Sequence, residues 1–119
     1  MDLGKFSISL TVKDINKSLN FYKKLGFEVI DGGHMNSAYP DSENEKWRIL
    51  SNPSVVIGLM QGVFERNMLT FHPPDVLALH DLLRKTGMKF KQEAEDTDEG
   101  PVYFMLEDPD GNPLLFDQV

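Results

Sequence analysis

Polar and apolar positions along the chain fall into two rhythms, and each rhythm occurs twice. "FSISLTV" (residues 6–12) alternates small polar and apolar residues with a period of two, which predicts a half-buried strand. Asp14 follows where a helix N-cap accepts backbone N–H groups. Ile15, Leu19, Tyr22 and Leu25 then recur at helical spacing and form one apolar face. Gly26 is a natural C-terminal stop, and "FEVI" (27–30) predicts the next strand. The same order returns further on. "NMLTFH" (67–72) is the strand, Asp75 the cap, Val76, Leu79, Leu82 and Leu83 the apolar face, and Gly87 the stop.

Asp14 and Asp75 set an offset of 61 residues between the copies. At that offset Ile15 meets Val76, Gly26 meets Gly87, Phe27 meets Met88 and Val29 meets Phe90. Few residues are identical, but their physical roles agree, which is the signature of an internal repeat. Two further strands complete each copy. In the first they are "KWRIL" (46–50) and "SVVIGLM" (54–60), joined by the turn "SNPS"; in the second, "PVYFML" (101–106) and "PLLFDQV" (113–119), joined by "EDPDGN". Both copies therefore read as β-α-β-β-β, module one covering about 5–62 and module two about 66–119 of a single domain. The connections "DGGHMNSAYPDSENEK" (31–46) and "KQEAEDTDEG" (91–100) are polar, and loops of that length serve either as binding lids or as mobile surface.

Composition narrows the function classes. At 119 residues there is room for one ordinary domain. Twelve Lys and Arg against 19 Asp and Glu give a net charge of −7, which argues against nucleic acid or an anionic membrane surface as partner. It suits a neutral or cationic partner, and on charge alone it also serves simple solubility. The absence of cysteine excludes disulfides, thiolate nucleophiles and cysteine metal sites. No run is apolar and long enough to span a membrane, and "MDLGKFSISL" lacks the order of a signal peptide. A cytoplasmic protein is the expectation.

"SISLTVKDINKSLNFYKKLGFEV" and "EDPDGNPLLF", in this order and spacing, resemble the opening strand and helix and the "DPDGN" turn of the vicinal oxygen chelate superfamily, which includes glyoxalase I, extradiol dioxygenases, fosfomycin-resistance enzymes and bleomycin-binding proteins. The resemblance covers almost the whole chain. It implies an α+β fold in which tandem β-α-β-β-β modules form a curved mixed sheet around a cavity, within one chain or across a homodimer. The family's metal enzymes hold a divalent ion there through His or Gln and Glu on the first and fourth strands of each module. Carried onto this chain, those four positions are Ser7, Gly58, Met68 and Leu115. Gly and Leu offer no donor, Met is a soft ligand better suited to copper(I), and Ser is a poor ligand unless assisted. No metal and no cofactor are therefore expected.

Alternation from those positions defines an inward face carrying Ser7, Ser9 and Thr11, then Val56, Gly58 and Met60, then Met68, Thr70 and His72, then Pro113, Leu115 and Asp117. This apolar floor with scattered hydroxyls suits a small-molecule pocket, and the alternative is a filled core whose hydroxyls satisfy backbone groups. His72 is the one titratable group expected near neutral pH, as acid or base, against the plainer reading of a half-exposed strand-end histidine beside Pro73 and Pro74. Either Trp47 faces inward as a stacking platform or Arg48 does as an anion anchor, since neighbours in a strand point oppositely. Tyr103 shares a face with Met105. His34 lies in a loop, and His80 on the second helix suits a structural role.

The expected function is a metal-free small-molecule binding protein of the glyoxalase/bleomycin-resistance kind, taking a neutral or cationic compound such as an antibiotic. A lyase, isomerase or dioxygenase of the same superfamily with an atypical or absent metal site is the alternative, and an interaction module whose cavity is merely core is a third.

Overall fold

The computed structural model describes residues 1–95 and 102–118. Its elements run β1 (Lys5–Thr11), α1 (Ile15–Lys24), β2 (Glu28–Gly32), β3 (Lys46–Ser51), β4 (Val56–Gln61), β5 (Met68–His72), α2 (Val76–Lys85), β6 (Tyr103–Glu107) and β7 (Pro113–Asp117). The chain is α+β and forms two compact units, Ser7–Asn67 and Met1–Phe6 with Met68–Val119. Among the described residues, no helix is long and apolar enough to cross a membrane.

In the first unit β1 pairs in parallel with β4, β4 antiparallel with β3, and β3 antiparallel with β2. The register shifts between Val29 and Asp31, so β2 carries a local irregularity. Period-two alternation sends Ile57, Leu59 and Leu50 to one face, where they meet Ile15 and Leu19 of α1. Leu50 and Leu59 are wholly buried. The turn before β4 is set by Asn52, whose Oδ1 accepts from the Ser54 and Val55 N–H groups at 2.8 and 2.9 Å. It delays the strand to Val56.

In the second unit β5 pairs in parallel with β7, and β7 antiparallel with β6. Phe104, Leu106 and Phe116 bury one face under Val76, Leu79 and Leu83 of α2. Here the core is aromatic. Phe104 stacks on Phe116 with centroids 4.6 Å apart, and Phe71 stacks on the same ring at 5.3 Å. The strand expected straight after Gly87 is reduced to an isolated bridge between Gln92 and Met105. Lys91 N–H donates to the Met105 carbonyl at 2.9 Å, and Met105 N–H to the Gln92 carbonyl at 2.9 Å. Lys89, Lys91, Gln92 and Glu93 leave Phe90 as the one large apolar residue to bury, and it packs on Phe104 and the His80 ring. Part of the acidic connection and Pro101, expected within a strand, lie outside the described residues.

Both helices start in the same way. Asp14 accepts from the Asn16 and Lys17 N–H groups, and Asp75 from that of Ala78. Lys23 and Lys24, and again Arg84 and Lys85, place positive charge on the last turns, where the dipole favours it. Gly26 and Gly87 follow at φ of 91° and 83°, a left-handed conformation that costs other residues a side-chain clash. A glutamine completes each start. Gln61, ending β4, accepts the Ile15 N–H through Oε1 at 2.9 Å, and Gln118, just past β7, accepts the Val76 N–H at 3.0 Å. Ile15 and Val76 are buried, and theirs is the first helical N–H, which no N-cap side chain reaches.

Removing either acceptor leaves a shielded donor unpaired. Gln61→Leu and Gln118→Leu are each expected to lower unfolding stability in urea by about 1–3 kcal/mol. Gln61→Glu keeps the acceptor and stays near wild type. Gln118→Glu does not, because Gln118 Nε2 also donates to the Pro74 carbonyl at 2.9 Å.

Candidate functional site

In each module the sheet face away from the helix carries the residues with chemistry. In the first, Ser9 pairs with Gly58 and Gly58 with Ile49; one step on, Thr11 pairs with Met60 and Met60 with Trp47. These side chains point away from Ile57, Leu59 and Leu50, hence away from α1. The register also answers the question posed by Trp47 and Arg48. Trp47 stands on the helix-free face, and Arg48, opposite Leu59, on the other. Arg48 is moreover committed. Its Nη1 lies 2.8 Å from Asp41 Oδ2 and donates to the Trp47 carbonyl at 2.7 Å, with the side chain only 13% exposed. It clasps the 33–45 connection to β3 and is not placed as an anion anchor beside Trp47.

That connection is tied down at several points. Asp41 Oδ1 also accepts from the Trp47 N–H at 3.3 Å, Trp47 Nε1 donates to the Tyr39 carbonyl at 2.8 Å, and Gly33 and Asp41 share a backbone hydrogen bond. Sequence reasoning missed Asp41, and an acidic residue seven positions before an arginine is no signal by itself. Thr11 is likewise used: its hydroxyl donates to the Phe64 carbonyl at 2.8 Å, and its N–H to Asn67 Oδ1 at 2.9 Å. Ser7 and Ser9 are buried on this face, and neither is without a partner.

In the second module Thr70 pairs with Leu115 and Leu115 with Met105, while Asp117 pairs with Tyr103. Met68, Thr70 and Leu115 are buried. At the strand ends the polar groups gather. His72 Nδ1 lies 2.5 Å from Asp117 Oδ1, with the two side chains 26% and 32% exposed. The hydrogen bond to Asp117 raises the His72 pKa above its ordinary 6.5; burial opposes the rise, and the charge of Asp117 adds to it. His80 is elsewhere. It is buried on the helix face, its ring 4.5 Å from that of Phe90 and 5.5 Å from that of Phe104, a structural position as its spacing suggested. His34 is exposed in its loop.

The four positions that the resemblance implies for metal ligands carry a hydroxyl (Ser7), no side chain (Gly58), a thioether (Met68) and a hydrocarbon (Leu115). A side chain begun at Gly58 would meet Met60 Cε at 3.0 Å. This set does not fit a hard or borderline divalent cation. Among the described residues, no group of three or more His, Asp and Glu side chains is placed to hold a metal ion.

The His72–Asp117 pair has a definite pH signature. The folded state holds this proton more tightly than the unfolded chain does. Its stabilisation is therefore complete below about pH 6.5 and is lost as pH rises through the raised value. In an NMR titration His72 is expected to show an inflection above 6.5, and Asp117→Asn to bring it to 6.5 or lower, because the effect of burial then stands alone. A wild-type inflection at or below 6.5 contradicts the pairing.

Comparison with known proteins agrees with this architecture. A glyoxalase/bleomycin-resistance superfamily protein from Vibrio splendidus 12B01 superposes with a TM-score of 0.64 at 20% identity, over 97% of this chain and 98% of that one. A structure described as an NAD-dependent benzaldehyde dehydrogenase from Legionella pneumophila gives 0.74 at 19% identity, over 97% and 99%. The 2,3-dioxygenase LapB from Pseudomonas sp. KL28 gives 0.60 at 16%, over 95% of this chain and 41% of that larger one. At these identities the likeness is one of fold. No curated protein sequence matches the chain significantly. The sequence profile described as Glyoxalase/Bleomycin resistance protein/Dioxygenase superfamily matches residues 6–116, and the chain belongs to that superfamily.

Proposed function

We propose that this protein binds a small molecule without the help of a metal, taking a neutral or cationic compound such as an antibiotic out of circulation. The observation that carries this reading is the donor chemistry at Ser7, Gly58, Met68 and Leu115, which suits an apolar guest better than a cation. The helix-free faces support it: mostly apolar side chains with a few hydroxyls, and Trp47 as a flat aromatic surface. The net charge of −7 disfavours anions. A cytoplasmic homodimer is the form in which we expect it to act. A second reading, an enzyme of the same superfamily with an atypical or absent metal site, is favoured by one observation, the His72–Asp117 pair.

Trp47 is the sole tryptophan, so fluorescence reports on its surroundings directly. Screening cationic glycopeptides, flat aromatic drugs and neutral metabolites is expected to find a compound that quenches Trp47. At a hundred times its dissociation constant that compound should stabilise the fold by about 2.7 kcal/mol, or about 10 °C in melting temperature. A panel that leaves both signals unchanged removes the support for a binding protein. Stoichiometric nickel, zinc, manganese or iron surviving dialysis would instead favour the metal enzyme.

A further inference from the structure

We propose that the outer face of α1 is a docking surface for an acidic segment of another protein. Phe21 and Leu25 form its apolar centre, and Lys17 and Lys24 its charged flanks. This surface is separate from the small-molecule reading above, which concerns the face of the sheet without the helix.

Helical spacing sets this face. Ile15 and Leu19 are buried against the sheet, and Tyr22 packs beside them. Positions 17, 21 and 24 therefore fall on the side away from the sheet, with Leu25 one turn beyond Phe21. Phe21 is 58% exposed and Leu25 60%. The Phe21 ring is nevertheless held. It meets Tyr22 edge-on with centroids 5.2 Å apart, and Tyr22 meets Phe27 edge-on at 5.7 Å, both of them rings that pack on the core. An oriented aromatic side chain open to solvent is the kind that anchors an interface. At the 61-residue offset the second module has Ala78, Leu82, Lys85 and Thr86 in place of Lys17, Phe21, Lys24 and Leu25. That module closes under its own helix all the same, so the fold does not require the pattern on α1.

Charge selects the partner. Lys13, Lys17, Lys23 and Lys24 lie within residues 13–24, one third of the 12 basic residues of a chain with 19 acidic ones. All four are exposed, and among the described residues none of them is in an ion pair. Arg84 at the end of α2, by contrast, is paired with Glu93. The acidic residue within the stretch, Asp14, is engaged by the Asn16 and Lys17 N–H groups, and Glu28 follows only on β2. Two copies of this face would set lysine against lysine, which disfavours a second copy as occupant. A membrane finds only two apolar side chains to take up, and the net charge of −7 repels an extended anionic surface. A short acidic segment meets the patch alone. At 0.1 M salt the Debye length is about 10 Å, so acidic groups farther off are screened while Lys17 and Lys24 act at contact. These two lysines stand about 10.5 Å apart along the helix axis, which matches carboxylates two helical turns apart on the partner with an apolar side chain between them.

Short peptides displayed on phage and selected on the full chain test this. The selection is expected to converge on an apolar residue between two carboxylates about two helical turns apart. The selected peptide, labelled with fluorescein and followed by anisotropy, is then the probe. Lys17→Glu combined with Lys24→Glu should weaken its binding about tenfold or more, and so should Phe21→Ala, in proteins that melt like wild type. Raising salt from about 0.1 M to about 1 M should weaken binding to the wild type and leave binding to a Lys17→Gln, Lys24→Gln protein nearly unchanged. A selection that yields no such sequence overturns the surface. So does a peptide that binds the Phe21→Ala and double-glutamate proteins as tightly as wild type. Binding to phosphatidylserine vesicles that these substitutions abolish, with no peptide selected, assigns the face to a membrane and overturns the acidic segment. A dimer lost on Phe21→Ala assigns it to a second copy and does the same. Quenching of Trp47 by a small molecule should be untouched by these substitutions, so failure here leaves the small-molecule reading standing.

Discussion

Everything else in each module depends on one constraint: a ten-residue helix must lie flat on one sheet face and bury the apolar side chains that face carries. A helix this short is marginal by itself in water, so its start has to be supplied by its surroundings. The first N–H group is the hardest to satisfy, because the aspartate caps reach only groups beyond it, Asn16 and Lys17 in one helix and Ala78 in the other. Gln61 and Gln118 solve this from the far end of the strand that lies beside β1 or β5. Each contact joins residues more than forty positions apart and locks helix to sheet at one point. The apolar stripe of the helix then closes over the strand residues of the matching parity.

With the helix fixed, the two modules fill their cores differently. The first uses aliphatic residues, Leu50, Ile57 and Leu59 under Ile15 and Leu19. The second stacks Phe71, Phe116 and Phe104 and continues the cluster through Phe90 and the buried ring of His80. The aromatic cluster lets a single residue, Phe90, anchor the stretch after Gly87, with a bridge at Gln92 replacing a full strand. In the first module a true strand, β2, occupies that place, with Val29 as its apolar contribution to the core.

Much of this was written locally in the chain. Asp14 with Gly26, and Asp75 with Gly87, bracket the helices, and "FSISLTV" alternates strictly enough to assign faces from Ser7 onward. The parity argument also placed Met68, Thr70 and Leu115 together. Partners at long range were not written there. Nothing local distinguishes Gln61 or Gln118 from a surface glutamine, or Asp41 from its acidic neighbours. The facing of Trp47 needed the β3–β4 register, because a loop stands between it and the last residue of known parity. His72 and Asp117 could each be assigned to a face, but their meeting at 2.5 Å follows from parallel register, a property of two strands and not of either sequence.

That register also sets what stands at mid-strand, where Thr70 pairs with Leu115. With Leu115 and Met68 there, the centre becomes apolar, and the nearest ionisable groups on these strands lie at their C-terminal ends, in His72 and Asp117. With hydrocarbon at mid-strand, the face keeps its paired ionisable groups apart from its buried centre. They meet at the edge where two parallel strands end together.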